Sequence, residues 1–312
     1  MTRELLIDVS CYQKNMDYAL LRAAGLRLVI VKAGSGSTGL DSQLRFHVAE
    51  ARAAGLHVAL YHWVDPLCDG KAQAEWFHTL IDAVQPGFVA GDVEQWWADW
   101  DKWHQTRLHR LSDEQVPKLA AKQIDRVCHN FFSTLEQLTP LPILFYTSGG
   151  FVQTWCPQLL DWMSRYPLWL ASYIQPRKAI TVTWQELPKY YPPVSPKVPA
   201  GMPSPSLWQW SGDVFSLPGH DGPVDMNFML QPLVDLDSAS STSIELPYEK
   251  RKLKPGVGGL NVRAIANDLT SQVMRVILPG EILRVEKPTA DIWLKLYGEP
   301  GWVHGGYTVL LA

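Results

Sequence analysis

Residues 91–103 read GDVEQWWADWDKW: Asp92 and Glu94 stand one residue apart at the end of an apolar run, and four tryptophans follow within eight positions. In an extended chain, residues i and i+2 face the same side. The two carboxylates therefore point the same way, roughly 6–7 Å apart along the backbone. Two further acids occupy comparable places, Asp8 near the end of LLIDVS and Asp225 at the start of VDMNFM. Acids gathered at one mouth repel each other, so at least one keeps its proton near neutrality. A protonated carboxyl beside ionised ones is what glycosidic-bond hydrolysis requires: a proton for the leaving oxygen and negative charge against an oxocarbenium-like centre. The same spacing also suits a pair of loop carboxylates capping the helix that follows, because acids are favourable near a helix N-terminus.

Such chemistry needs elements that bring the four acids to one place. Strand-like runs occur at 5–10, 26–34, 57–64, 87–94, 142–148, 168–173, 207–211 and, more weakly, 224–229. Between them, helical periodicity predicts helices over 41–55, 71–84, 112–138 and 149–165. Ser112 and Gln115 have capping-box spacing, with Pro117 obscuring the start of the third helix. This βα alternation with near-continuous apolar strands implies a parallel sheet covered by helices. If the sheet closes into a barrel, the carboxyl ends of its strands carry the site, and Asp8, Asp92 and Glu94 lie at such ends. The later strands come without helices between them, so the barrel is expected to finish irregularly.

Near residue 232 the texture changes to PLVDLDSASSTSIELP, small and polar with flanking prolines. The predicted division is a barrel over 1–232, a linker over 233–247 and a small all-β domain of short runs over 248–312. The chain has 312 residues, 46 % hydrophobic and 19 % charged, as expected of a globular protein with a sizeable core. A net charge of −3 gives no clustered basic face and argues against nucleic acid. No run has the ~18–20 apolar residues of a membrane helix, so no membrane partner is expected. MTRELLIDVS enters a strand-like run at once and carries no secretory signal. The expected location is the cytoplasm unless something else exports or releases the chain. Cys11, Cys68, Cys128 and Cys156 form no C-x-x-C pair and read as free thiols, although three disulfide pairings exist on paper. His104 and His109 with Asp101 lack the spacing to align on a helix, so no metal and no cofactor are expected. The compositional outlier is tryptophan, at 14 residues.

The blocks IDVSCYQ, VIVKAG, AGLHVALYHW, GDVE, FYTS, LWLASY, LWQWS and VDMNF occur in an order and spacing that resembles glycoside hydrolase family 25, the Chalaropsis-type lysozymes or N-acetylmuramidases. The resemblance spans about residues 4–230. It implies an α/β fold, an irregular, flattened (β/α) TIM-like barrel of about eight strands. It also implies cleavage of the β-1,4 bond between N-acetylmuramic acid and N-acetylglucosamine, with peptidoglycan glycan strands as the partner. Carried over by motif, Glu94 resembles the general acid/base and Asp92 the carboxylate beside it, while Asp8 and Asp225 resemble supporting acids. The implied chemistry retains configuration, either through attack of the substrate's 2-acetamido oxygen or through an aspartate nucleophile.

The tryptophan run departs from the family pattern. Trp96, Trp100 and Trp103 have i, i+4, i+7 spacing and would stripe one helix face, as core packing or as a wall that stacks on sugar rings. Lys32, Tyr61, Tyr146 and Trp169 lie in family blocks at or near strand ends and are substrate-binding candidates, with core packing the alternative for the aromatics. His62 reads as a structural histidine. LNVRAIA and GWVHGGY resemble the opening and closing blocks of a bacterial SH3-like domain, a small all-β barrel that would bind cell-wall peptide or polymer. Ala264, Ile265 and Ala266 replace the usual Ser-Gly-Pro turn there, and the basic KRKLK before it suits anionic wall polymers. Two other readings compete: a non-catalytic peptidoglycan-binding protein, which has no need of four costly acids, and a chitinase-like hydrolase.

Overall fold

The computed structural model describes residues 3–174, 178–220 and 222–237, and beyond them 248–254, 257–264, 272–279, 281, 283–286, 293–296, 300–304 and 308–310. The chain forms two compact units, Met1–Thr242 and Ser243–Ala312.

In the first unit, β1 (Glu4–Val9), β2 (Leu28–Ser35), β4 (His57–Trp63), β5 (Val89–Asp92), β6 (Ile143–Ser148), β7 (Leu168–Ala171) and β9 (Pro205–Ser216) pair in parallel. Strand β10 (Pro223–Met229) runs antiparallel to both β9 and β1 and closes an eight-stranded barrel. Short β3 (Gly39–Leu40) and β8 (Ile180–Thr181) flank β2 and β9. Helices α1 (Tyr18–Ala23), α2 (Leu44–Ala53), α3 (Gly70–Val84), α4 (Trp100–Arg107), α5 (Ala121–Leu138) and α6 (Gly149–Trp155) lie between the earlier strands. The irregular finish is where it was expected, since among the described residues only β8 and a 3-10 turn at Leu187–Tyr190 separate β7 from β9.

The helix boundaries follow local chemistry. Asp69 caps α3 by accepting the Ala72 N–H at 2.9 Å, and the buried face carries Ala74, Phe77, Ile81 and Val84. The predicted helix over 112–138 divides. Gln115 accepts the Ser112 N–H at 2.9 Å around a 3-10 turn, and α5 starts only at Ala121, past Pro117. The one over 149–165 stops at Trp155, because Pro157 has no N–H to donate and holds Cys156 out of the helical region, at φ −152°. Gly91 permits the close approach of α5 to β5: a Cβ there would lie 2.5 Å from Phe132 Cζ and 2.9 Å from Phe131 Cε1.

One predicted boundary shifts. Leu233, Val234 and Leu236, placed in the linker by composition, pack against the barrel's interior cluster, and Arg27 donates to the Leu236 carbonyl and, at 2.6 Å, to Asp237. The barrel unit therefore continues through Asp237. The rest of the expected linker, from 238 to 247, lies outside the described residues.

The described residues of the second unit form β-strands and connecting turns. Strands β14 (Leu283–Glu286), β11 (Tyr248–Leu253) and β17 (Thr308–Leu310) form one sheet. Strands β13 (Val273–Ile277), β12 (Leu260–Arg263), β16 (Trp302–His304) and β15 (Trp293–Lys295) form the other. They share a core of Leu253, Val262, Ile277, Val285, Leu294 and Val303. LNVR is β12; Ile265 and Ala266 of the altered turn lie outside the described residues. Among the described residues no helix is long and apolar enough to cross a membrane.

Candidate active site

The barrel interior follows the period of two. Leu6 points inward, and Asp8 two residues on does the same nearer the mouth; Leu28 and Ile30 lead to Lys32, Ala59 to Tyr61, Ala90 to Asp92, Leu144 to Tyr146, and Leu207 to Gln209. The lower layers are apolar and form the core; the uppermost layer is polar and lines a cleft of about 810 Å³. Strand β10 enters from the opposite direction, so its first residues reach the same rim, and Asp225 sits in register with Asp8. All nine site residues named from sequence, Lys32, Tyr61, Trp96, Tyr146, Trp169 and the four acids among them, line this cleft.

Asp8 and Asp225 are tied together by a side chain that the sequence reading passed over. Gln209 Nε2 donates to Asp8 Oδ2 at 2.9 Å and to Asp225 Oδ2 at 3.3 Å, while its Oε1 accepts from the Tyr146 and Tyr173 hydroxyls, each at 2.8 Å. Asn227 also donates to Asp8 Oδ2, at 2.7 Å, and its own Oδ1 accepts the Trp169 indole N–H at 2.8 Å. Trp169 is only 1 % exposed, so it stands in the cleft floor and acts on Asp8 through Asn227. Asp225 Oδ1 accepts the Asp213 N–H at 2.7 Å. The available signal for Gln209 was a glutamine set between two tryptophans in an otherwise apolar strand, at an inward position.

Asp92 and Glu94 have fewer anchors. Asp92 is buried, and its Oδ1 has no hydrogen-bond partner among the described residues. Burial, followed by repulsion from Glu94, holds its carboxyl well above the usual carboxylate range, with Lys32 pulling the other way. Burial likewise raises Glu94, opposed by Lys32 and Arg107. Burial pushes Asp8 up to about 6, against hydrogen bonds from Asn227 and Gln209. Asp225 is held high by burial and by Asp8. The mouth thus retains protons near neutrality, as four crowded acids must. Lys32 stands over the Trp63 ring at 5.0 Å and the Tyr61 ring at 5.8 Å. His62 lies between Phe77 and Phe131, and burial pushes it down to about 3, which keeps it neutral.

The helix that follows the carboxylates is not capped by them. Asp99 caps α4, accepting the Lys102 N–H at 3.0 Å, and this removes the capping alternative for Asp92 and Glu94. The same cap overturns the single helical stripe: α4 begins at Trp100, so Trp96 lies before it, off the face that carries Trp103. Trp96 instead stacks flat on Trp155 (4.5 Å, 7°), and Trp103 stacks on Trp97 (4.0 Å, 11°). Trp100 is 54 % exposed and α4 buries none of its residues, so the helix is not a core element. Trp96, Trp97, Trp103 and Trp155 all line the cleft.

A closed, mostly parallel barrel with carboxylates crowded in a cleft at its C-terminal mouth is an arrangement that suits glycoside hydrolysis. Residues 7–219 match the sequence profile of Glycosyl hydrolases family 25, and the chain belongs to that family. It is 23 % identical over 228 residues to Lysozyme M1 of Streptomyces globisporus, covering 71 % of this chain and 66 % of that protein, just under two thirds of the relative's length. Among solved structures, the bacterial lysozyme from Streptomyces coelicolor superposes with a TM-score of 0.55 at 20 % identity, over 74 % of this chain and 93 % of that one. The muramidase from Acremonium alcalophilum gives 0.53 at 21 % identity, over 74 % and 95 %. At these identities the structural likeness concerns the fold.

Proposed function

We propose that this protein is a lysozyme, an N-acetylmuramidase that hydrolyses the β-1,4 bond between N-acetylmuramic acid and N-acetylglucosamine in peptidoglycan. The observation that carries the reading is the pairing of Glu94 with Asp92, two cleft carboxylates of raised proton affinity, in a family 25 barrel. Two acids so close titrate as a pair that shares a proton near neutrality. Substrate binding decides which one holds it. The free Oδ1 of Asp92 accepts the N–H of the 2-acetamido group, which favours the Asp92 anion and leaves the proton on Glu94.

Glu94 then gives that proton to the leaving glycosidic oxygen as the C1–O bond breaks. The acetamido oxygen bonds to C1, and Asp92 stabilises the positive ring so formed. Water, deprotonated by Glu94, attacks C1 and reopens the ring, so two inversions give net retention. An Asp92 engaged by the acetamido N–H orients that group toward C1, as this substrate-assisted course needs; a direct aspartate nucleophile is the alternative. Asp8 and Asp225, fixed through Gln209 and Asn227, add negative charge beneath the sugar. The second unit serves as an SH3-like wall-binding module that raises local enzyme concentration at the wall, with wall peptide or polymer as its ligand. Digestion of purified peptidoglycan, with mass and reducing-end analysis, tests the activity. Muramic acid at the new reducing ends is expected; glucosamine ends or peptide cuts would reject it.

A further inference from the structure

The cleft-lining tryptophans form one connected row. Trp103 stacks on Trp97, Trp97 meets Trp96 edge-on at 5.8 Å and Trp63 at 5.8 Å, and Trp96 stacks on Trp155. Three cations stand over this row: Lys32 over Trp63 at 5.0 Å, Arg107 over Trp103 at 4.9 Å, and Lys118 over Trp155 at 5.5 Å. Arg107 and Trp103 are one helical turn apart on α4 and both line the cleft. The Arg107 guanidinium is exposed and, among the described residues, makes no hydrogen bond or ion pair with a carboxylate or carbonyl; it stands over the Trp103 indole and acts on Glu94 only through space.

An arginine that rests over an indole keeps its N–H fork free for a planar, bidentate anion. A neutral glycan offers hydroxyl and amide oxygens as single acceptors, whereas a carboxylate matches both the charge and the two-pronged N–H fork of the guanidinium. Resting on the muramidase reading above, we infer that Arg107, set on the tryptophan row by α4, forms a subsite for a carboxylate carried by the glycan. Two carboxylates have this chemistry: the lactyl group of muramic acid in peptide-free strands, and the carboxylates of the stem peptide where a stem is attached.

The test measures kcat/KM on soluble glycans in two pairs: peptide-free strands with the lactyl group as free carboxylate or as carboxamide, and stem-bearing strands with the stem carboxylates free or amidated. Each ratio of charged to neutral substrate is compared between wild type and Arg107→Gln at one pH. Both members of a pair are cut through Glu94, so a changed Glu94 protonation cancels from the ratio. Arg107 is exposed, and circular dichroism should show the variant folded. In at least one pair, wild type is expected to prefer the charged substrate by about five- to tenfold, and Arg107→Gln to bring that ratio to about one. A drop confined to the first pair assigns the lactyl carboxylate, and one confined to the second assigns the stem. Ratios near one in wild type, or ratios that survive in Arg107→Gln, overturn the proposal while leaving the muramidase reading intact. A wild-type enzyme that cuts none of the four refutes the muramidase reading and the subsite with it.

Discussion

Lys32 is the cation through which the Asp92–Glu94 pair is tuned, since it opposes the rise in proton affinity that burial imposes on both. Removing its charge should raise both acids, so in Lys32→Met both limbs of the pH–kcat/KM profile should move to higher pH. A profile that keeps its position would remove Lys32 from the electrostatics of the pair. Asp8 has a consequence for stability. Its carboxyl is pushed up to about 6 from 3.8, so between those values the folded chain keeps a proton that the unfolded chain has lost. Its contribution to stability is therefore lost as pH rises through that window. Asn in its place can still accept the Gln209 and Asn227 N–H groups and carries no charge. Asp8→Asn should accordingly gain thermal stability over wild type at pH 7 relative to pH 4, as differential scanning fluorimetry at the two values would show. An equal difference at both would contradict the assignment.

The elements that hold these residues were largely readable from the chain. Strand alternation and the place of Asp92 at the end of a parallel strand, with Glu94 two residues on, follow from the period of two; Asp225 reaches the rim of Asp8 because β10 runs antiparallel, a direction that no local pattern encodes. What escaped were contacts between distant segments. Gln209 joins Asp8 from 201 residues away and Asn227 joins it from 219, and no local pattern encodes such bonds. The tryptophan stripe misled because helical spacing was extended across Asp99, whose side chain starts the helix afresh. Arg107 was missed because one arginine in a polar helix carries no periodic signal. Gly91 shows how tightly α5 is packed behind the acids. Gly91→Ala should cost about 1–3 kcal/mol, since Phe131 and Phe132 must give way to a Cβ. Urea unfolding would register this as a lower midpoint at unchanged slope, and an unchanged midpoint would mean that α5 relaxes freely.

For the whole molecule, the two compact units predict separable duties. A chain ending at Thr242 should fold and cut short soluble muramyl glycans much as the full chain does, while losing activity on intact walls as tethering is lost. Ending it at Pro232 should instead lower the melting temperature, because Leu233, Val234 and Leu236 leave the interior cluster. Equal melting temperatures for the two truncations would place the barrel boundary at 232 after all. Beneath both stands the assignment of the acid to Glu94, and one measurement reaches it directly: the rate at which Glu94→Gln releases muramic-acid reducing ends from purified peptidoglycan, relative to wild type. The amide keeps the side chain's shape but has no proton to donate, and positioned acid catalysis contributes about 10²–10⁴-fold. A loss of that size, with an unchanged circular dichroism spectrum and unchanged binding to walls, is expected; turnover above about a tenth of wild type would remove Glu94 from the role.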